Sequence, residues 1–138
     1  IQKPLSLEEI AKKMSLAHLG IVPKRADGFG NEAFSTKILE FMILGVPVIA
    51  AETKIDRYYF NDSLIEFFKS GDENSLAEKI LFLYNNKSRR EELYKNALQF
   101  AITNSWNKKK SLYLNIVDKL CGIKNISEVE VQNVHAKV

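Results

Sequence analysis

Two carboxylates, Glu32 and Glu40, flank a stretch in which Ser35 and Thr36 lead into an apolar helical pattern carried by Ile38, Leu39, Met42 and Ile43. A helix start offers unpaired backbone amides and a partial positive charge. The amides of Phe34, Ser35 and Thr36 are therefore candidates to hold a phosphate or diphosphate, with the Ser35 and Thr36 hydroxyls as further donors. Glu40 follows roughly one to two turns along, where a carboxylate can accept hydrogen bonds from two neighbouring hydroxyls of a ribose, as the acidic residue of dinucleotide-binding folds does. Glu32 stands just before the helix, on the side of the second phosphate and whatever group that phosphate carries. Together the pair would bracket a sugar nucleotide.

The elements that must position these groups are legible from patterning. Ser6 followed by Glu9 reads as a capping box, and Leu7, Ile10, Ala11 and Met14 recur at helical spacing up to about Leu16. His18 to Val22 is a compact apolar run stopped by Pro23, which suits a buried parallel strand. Lys24 to Glu32 is rich in Gly, Asp and Asn and reads as a loop, with Asp27 as a turn residue. Gly45 sits where the following helix needs a left-handed terminating residue, and Val46 to Ala51 makes a second strand with Pro47 near its start. Thr53 to Asp62 reads as a polar loop and Leu64 to Phe68 as a third strand. Ser75 with Glu78 and Ser88 with Glu91 repeat the capping-box signature and open two further helices. A last helix is expected from Trp106 to Cys121, ended by Gly122.

Strands alternating with helices imply an α/β fold, a doubly wound Rossmann-like parallel sheet with helices on both faces. Only about three strands are visible, and so small a sheet leaves an apolar edge unpaired, so further strands are expected outside this chain. The start at Ile1 rather than Met gives the same expectation of a longer protein. In an open parallel sheet ligands bind beyond the carboxyl ends of the strands, which selects the loop after Val22 and the helix start near Ser35 independently of any motif.

Composition narrows the function classes. Hydrophobic residues make up 46% and charged residues 27%, as in ordinary globular domains. A net charge of +3 with scattered basic residues excludes a nucleic-acid partner as the leading reading. The run Lys108 to Lys110 is read as a solvated helix face. A single cysteine, Cys121, rules out an internal disulfide and a multi-cysteine zinc site, and is expected to be a small buried hydrophobe. His18 is expected in the core, and no metal cluster, P-loop or nucleophile–base pair is found. The longest apolar stretch, Phe41 to Ala51, is too short and too broken to span a membrane.

Glu32-Ala33-Phe34-Ser35-Thr36-Lys37-Ile38-Leu39-Glu40, followed by Gly45-Val46-Pro47-Val48-Ile49-Ala50, is similar to the Glu-x7-Glu region of retaining GT-B glycosyltransferases of family 4, the glycosyl transferases of group 1. The Phe two residues after the first Glu, the preceding strand ending at Pro23, Gly71-Asp72 before the Leu76-Ala77 helix, and Ser105-Trp106 before the last helix strengthen the resemblance, which covers roughly residues 5 to 122. Asp27-Gly28-Phe29-Gly30 mimics one form of the motif but lies too far from Glu40, so Glu32 is preferred.

The resemblance implies the C-terminal half of a GT-B donor domain, occupying residues 1–123, with 124–138 as a tail that is loose or adds an edge strand. It implies transfer of a sugar from a nucleotide-diphosphate sugar, with retention, through an oxocarbenium-like transition state and with neither a cofactor nor an essential divalent metal. Glu32 would contact the donor-sugar hydroxyls and serve as the catalytic carboxylate, Glu40 would hold the ribose, and Phe34, Ser35 and Thr36 the diphosphate. Lys37 matches a subset of the family and is read either as a phosphate-neutralising group or as an exposed helical lysine. The family usually has Gly where Ser35 stands. Its basic diphosphate clamp and its acceptor groups lie in an N-terminal part outside this chain, so the chain alone is expected to be inactive. The acceptor would be a saccharide, a lipid-linked or a small molecule. The expected setting is the cytoplasm, with peripheral contact at the inner membrane face or self-association through the sheet edge. The alternative is a non-catalytic nucleotide-sugar-binding or interaction module.

Overall fold

In a computed structural model, residues 4–123 can be described; the tail from 124 lies outside them. Contacts divide the chain into two units, 1–102 and 103–138. The first holds a parallel three-stranded sheet, β1 (Gly20–Val22), β2 (Val48–Ala51) and β3 (Glu66–Phe68), in the order β1-β2-β3. Ile21 pairs with Ile49, and Ala50 with Phe67.

Side chains alternate across the strands, and each set finds its own layer. Val22, Val48, Ala50 and Phe67 join Ile38 and Met42 of α3 (Thr36–Ile43) and Ala97 and Ala101 of α6 (Lys87–Thr103) in one apolar cluster. Ile49, Ala51 and Phe68 turn the other way, onto Leu76, Ile80 and Leu83 of α5 (Glu73–Asn85). The expected covering of both faces is therefore found, and β2 is buried throughout. Glu66 is the charged exception on the α5 side, where its carboxylate accepts from Lys79 Nζ at 3.0 Å and Arg89 Nε at 2.8 Å.

Helix ends follow local chemistry. Around α1 (Leu7–Ser15) the Ser6 hydroxyl accepts from the Glu9 amide at 3.2 Å while the Glu9 carboxylate accepts from the Ser6 amide at 2.8 Å, the expected capping box. No residue of α1 is buried, and Leu7 is 82% exposed, so its apolar pattern does not pack as a core face here. At the end of α3, Gly45 has φ +73°, the Gly45 amide donates to the Met42 carbonyl at 3.1 Å and the Val46 amide to the Phe41 carbonyl at 2.9 Å. This is a Schellman closure, and it needs a residue that tolerates a positive φ. A Cβ at Gly45 would also sit 2.6 Å from Tyr94 Cε2, but that ring is partly exposed and can swing aside. Gly45→Ala is expected to lower unfolding free energy by about 1–2 kcal/mol, mainly the left-handed backbone term, as read by urea denaturation.

Several boundaries differ from the sequence expectation. The strand ladder begins at Gly20, so His18 precedes it and is exposed instead of lying in the core. The segment read as a loop after Pro23 contains α2 (Gly28–Glu32), and Asp27 is its N-cap, accepting from the Gly30 amide at 2.8 Å. The polar stretch from Thr53 contains α4 (Lys54–Tyr59), capped by Thr53. α5 starts a turn earlier than Ser75 because Asp72 caps it, and the first turn of α6 is met by Asn86, not Ser88. Aspartate and asparagine cap a helix about as well as serine, so residue type alone does not place these starts.

In the second unit, α7 (Trp106–Leu120) runs as expected and ends at Gly122, φ +70°. Trp106 and Tyr113 place their rings 5.5 Å apart, and Lys108, Lys109 and Lys110 are exposed. Cys121 is the exposed C-cap of this helix and not a buried hydrophobe, because α7 buries none of its residues. Among the described residues no helix is long and apolar enough to cross a membrane.

Candidate functional site

The chain leaves β1 at Val22, passes through Pro23 to Asp27, makes the short α2, and turns at Ala33 and Phe34 into α3. Glu32 thus ends α2, Ser35 is the N-cap of α3, Thr36 and Lys37 form its first turn, and Glu40 lies in its second. Ile38 and Met42 are fully buried and fix the helix on the sheet, which leaves Thr36, Lys37 and Glu40 exposed on its other side. Thr36 and Glu40, four residues apart, share that side. Glu32 is exposed as well, and among the described residues neither carboxylate has a hydrogen bond or ion pair.

The start of α3 differs from the other helices of the sheet unit whose caps are seen. Ser6, Asp27, Thr53 and Asp72 each close their own helix with a side-chain acceptor, whereas Ser35 makes no such bond. The first amides of α3, which have no intrahelical acceptor, are left for an outside one. Phe34 is held from behind: its ring meets Tyr59 edge-on at 5.0 Å and lies 5.9 Å from Phe60. Its backbone amide was singled out from sequence; its ring serves as the anchor of the turn.

Residues that patterning did not single out tie this loop down. Lys24 Nζ donates to the Ala33 carbonyl at 2.7 Å and is 2.7 Å from Asp56 Oδ2. The Ser70 hydroxyl, beyond β3, accepts from the Ala26 amide at 2.9 Å and donates to the Lys24 carbonyl at 2.7 Å. Asn31 accepts from the Lys54 amide at 3.1 Å and donates to the Ala26 carbonyl at 2.9 Å, joining α2 to α4. The spacing of Thr53 and Asp56 could have revealed α4, since it is the first half of a capping pattern.

An open cleft of about 380 Å³ lies nearby, at the carboxyl ends of β1 and β3, lined by Pro23, Lys24, Arg25, Phe68, Asp72 and Leu76 among others. It contains none of the residues chosen from sequence. The Ser75 amide, by hydrogen bonding, holds the Asp72 carboxyl below the usual aspartate range. In that cleft the Asp72 charge lies among Lys24, Arg25 and Glu73.

Residues 2–100 match the family described as glycosyl transferases group 1, which is most of the sheet unit and the whole of the Glu32–Glu40 region. The chain belongs to this family. Among solved structures it is similar to the C-terminal domain of a glycosyl transferase group 1 family protein from Francisella tularensis, with TM-score 0.62 and 18% identity over 75% of this chain. It is also similar to sucrose-phosphate synthase from Thermosynechococcus elongatus, with TM-score 0.75 and 20% identity over 87% of this chain. The matches span 51% and 29% of those two chains. Comparison with curated proteins returned no match. At these identities the likeness establishes the fold, the α/β arrangement of GT-B C-terminal domains. The group 1 match carries the family.

Proposed function

We propose that this chain supplies the donor-recognition part of a sugar-transfer site that uses a nucleotide-diphosphate sugar and retains the anomeric configuration, as in glycosyltransferase family 4. The observation that carries the reading is the α3 start, left without a side-chain cap and flanked by the exposed carboxylates Glu32 and Glu40, which have no partner among the described residues. On this reading the Phe34, Ser35 and Thr36 amides donate to the diphosphate oxygens, Glu40 accepts from the ribose hydroxyls, and Glu32 faces the donor sugar. Lys37, exposed on the first turn, adds positive charge beside the phosphates. As the glycosidic C–O bond breaks, negative charge gathers on the departing diphosphate, and preorganised donors that already point there lower the barrier. Other parts of the same protein would contribute the remaining basic groups and the acceptor site.

The ribose assignment is tested by calorimetric titration of UDP, GDP and ADP into the intact gene product and its Glu40→Gln variant. Loss of a charged acceptor for two hydroxyls is expected to weaken the preferred nucleotide by about tenfold. Unchanged affinity removes Glu40 from the site.

A further inference from the structure

We propose that Lys24 and Asp56 are positioning residues for the donor site, acting through the turn that joins α2 to α3. The inference rests on the donor reading of that turn for its functional consequence, and on geometry for the rest. Lys24 Nζ reaches two oxygens at once, the Ala33 carbonyl at 2.7 Å and Asp56 Oδ2 at 2.7 Å. Asp56 is 1% exposed, and its Oδ2 also accepts from the Thr53 hydroxyl at 2.8 Å, while Thr53 Oγ1 accepts from the Asp56 amide at 3.3 Å. The anion is therefore locked at the start of α4, the cation at the end of β1, and what the cation holds is the backbone immediately between Glu32 and Phe34.

Stability alone does not account for this arrangement. Burying two charges costs about as much as their attraction returns, and an apolar pair of the same volume commonly does as well. Here Asp56 Oδ1 is buried with no partner among the described residues, so the pair is not fully satisfied. Direction is what the pair adds. An apolar contact leaves the Ala33 carbonyl free to rotate, whereas a short charge-assisted hydrogen bond fixes it. With that carbonyl fixed, the peptide planes on either side are fixed too, and they set where the Glu32 carboxylate and the first α3 amides point.

The test compares the intact gene product with Lys24→Met/Asp56→Asn, a neutral pair of similar shape that removes the cation's grip and keeps the Thr53 contact. Amide hydrogen exchange is expected to quicken from Ala33 to Lys37 while the β2 amides stay protected. UDP or GDP affinity is expected to fall about tenfold, the cost of weakening about one hydrogen bond to a charged phosphate. Asp56→Asn alone removes the counter-charge but leaves the Lys24 ammonium on the Ala33 carbonyl, so it is expected to move both readouts in the same direction by less, and serves should the double variant lose its fold. Exchange at residues 33–37 that stays at the wild-type rate in both variants overturns the proposal. So does affinity that is unchanged despite faster exchange. If the wild-type protein binds no nucleoside diphosphate, the donor reading fails, and the exchange data still decide whether the pair holds the turn.

Discussion

Glu32→Gln in the intact gene product is expected to lower sugar-transfer turnover by about a hundredfold while leaving nucleoside-diphosphate affinity within about twofold. A charged acceptor hydrogen-bonded to a neutral donor contributes about 1.5–3 kcal/mol, which corresponds to roughly ten- to a hundredfold or slightly more. On the proposed reading Glu32 touches the sugar and not the nucleotide, and the hydrogen bonds of a ring developing positive charge strengthen toward the transition state, so the loss falls on kcat. Exposure makes this a clean experiment, because the Glu32 carboxylate has no partner among the described residues and its replacement leaves no buried group behind. The measurement is release of nucleoside diphosphate from the best donor found in a screen of nucleotide sugars. Wild-type turnover in the variant removes Glu32 from the reacting end of the site.

Gly30→Ala should produce the largest structural effect. Gly30 is buried in α2 one residue before Asn31, and a Cβ there would overlap the Arg25 carbonyl oxygen. Backbone cannot step aside as the Tyr94 ring can at Gly45, and the Arg25 segment is itself fixed, since the neighbouring Lys24 carbonyl and Ala26 amide are both bonded to Ser70. Either α2 moves away, losing its Asp27 cap and the Asn31 link to α4, or the segment before it lifts off Ser70. We expect a loss of about 3 kcal/mol in unfolding free energy, the upper end for overpacking. On the proposed reading nucleotide binding should weaken with it, because the displaced α2 leads directly into the turn that sets the first α3 amides. A variant with the wild-type urea midpoint would show that the loop accommodates a methyl group here.

Much of the architecture was readable because its signals are strictly local. Gly45 and Gly122 mark helix ends through the left-handed conformation that they alone tolerate cheaply, and both have positive φ. Val48 to Ala51 is apolar on both sides, and it is the buried central strand. The carboxylates and the helix start between them were chosen from sequence on electrostatic grounds, and they lie at the end of α2 and in the first two turns of α3. What stayed hidden depends on contacts between distant positions. Nothing in the order of residues says that the Lys24 ammonium seeks Asp56, or that Ser70 bonds the Ala26 amide. The helices α2 and α4 were missed because each is a turn or two long, too short for apolar periodicity, and is held by its cap and by the other. The aspartate and asparagine that cap α5 and α6 were passed over for serines because the capping-box pattern looks for a reciprocal pair and not for a single acceptor.

The Ser70 hydroxyl has a consequence for how the protein is made. It follows β3, yet it shapes the loop that follows β1, just as Asp56, after β2, shapes the same loop from another side. During synthesis Glu32 and Glu40 leave the ribosome well before either of those residues. Until the third strand has been translated and has docked, the nascent chain carries the recognition groups without the geometry that would make them recognise anything. On the proposed reading, assembly of the site is therefore a late event in folding although its residues precede those that shape it, and a half-made polypeptide would hold no nucleotide.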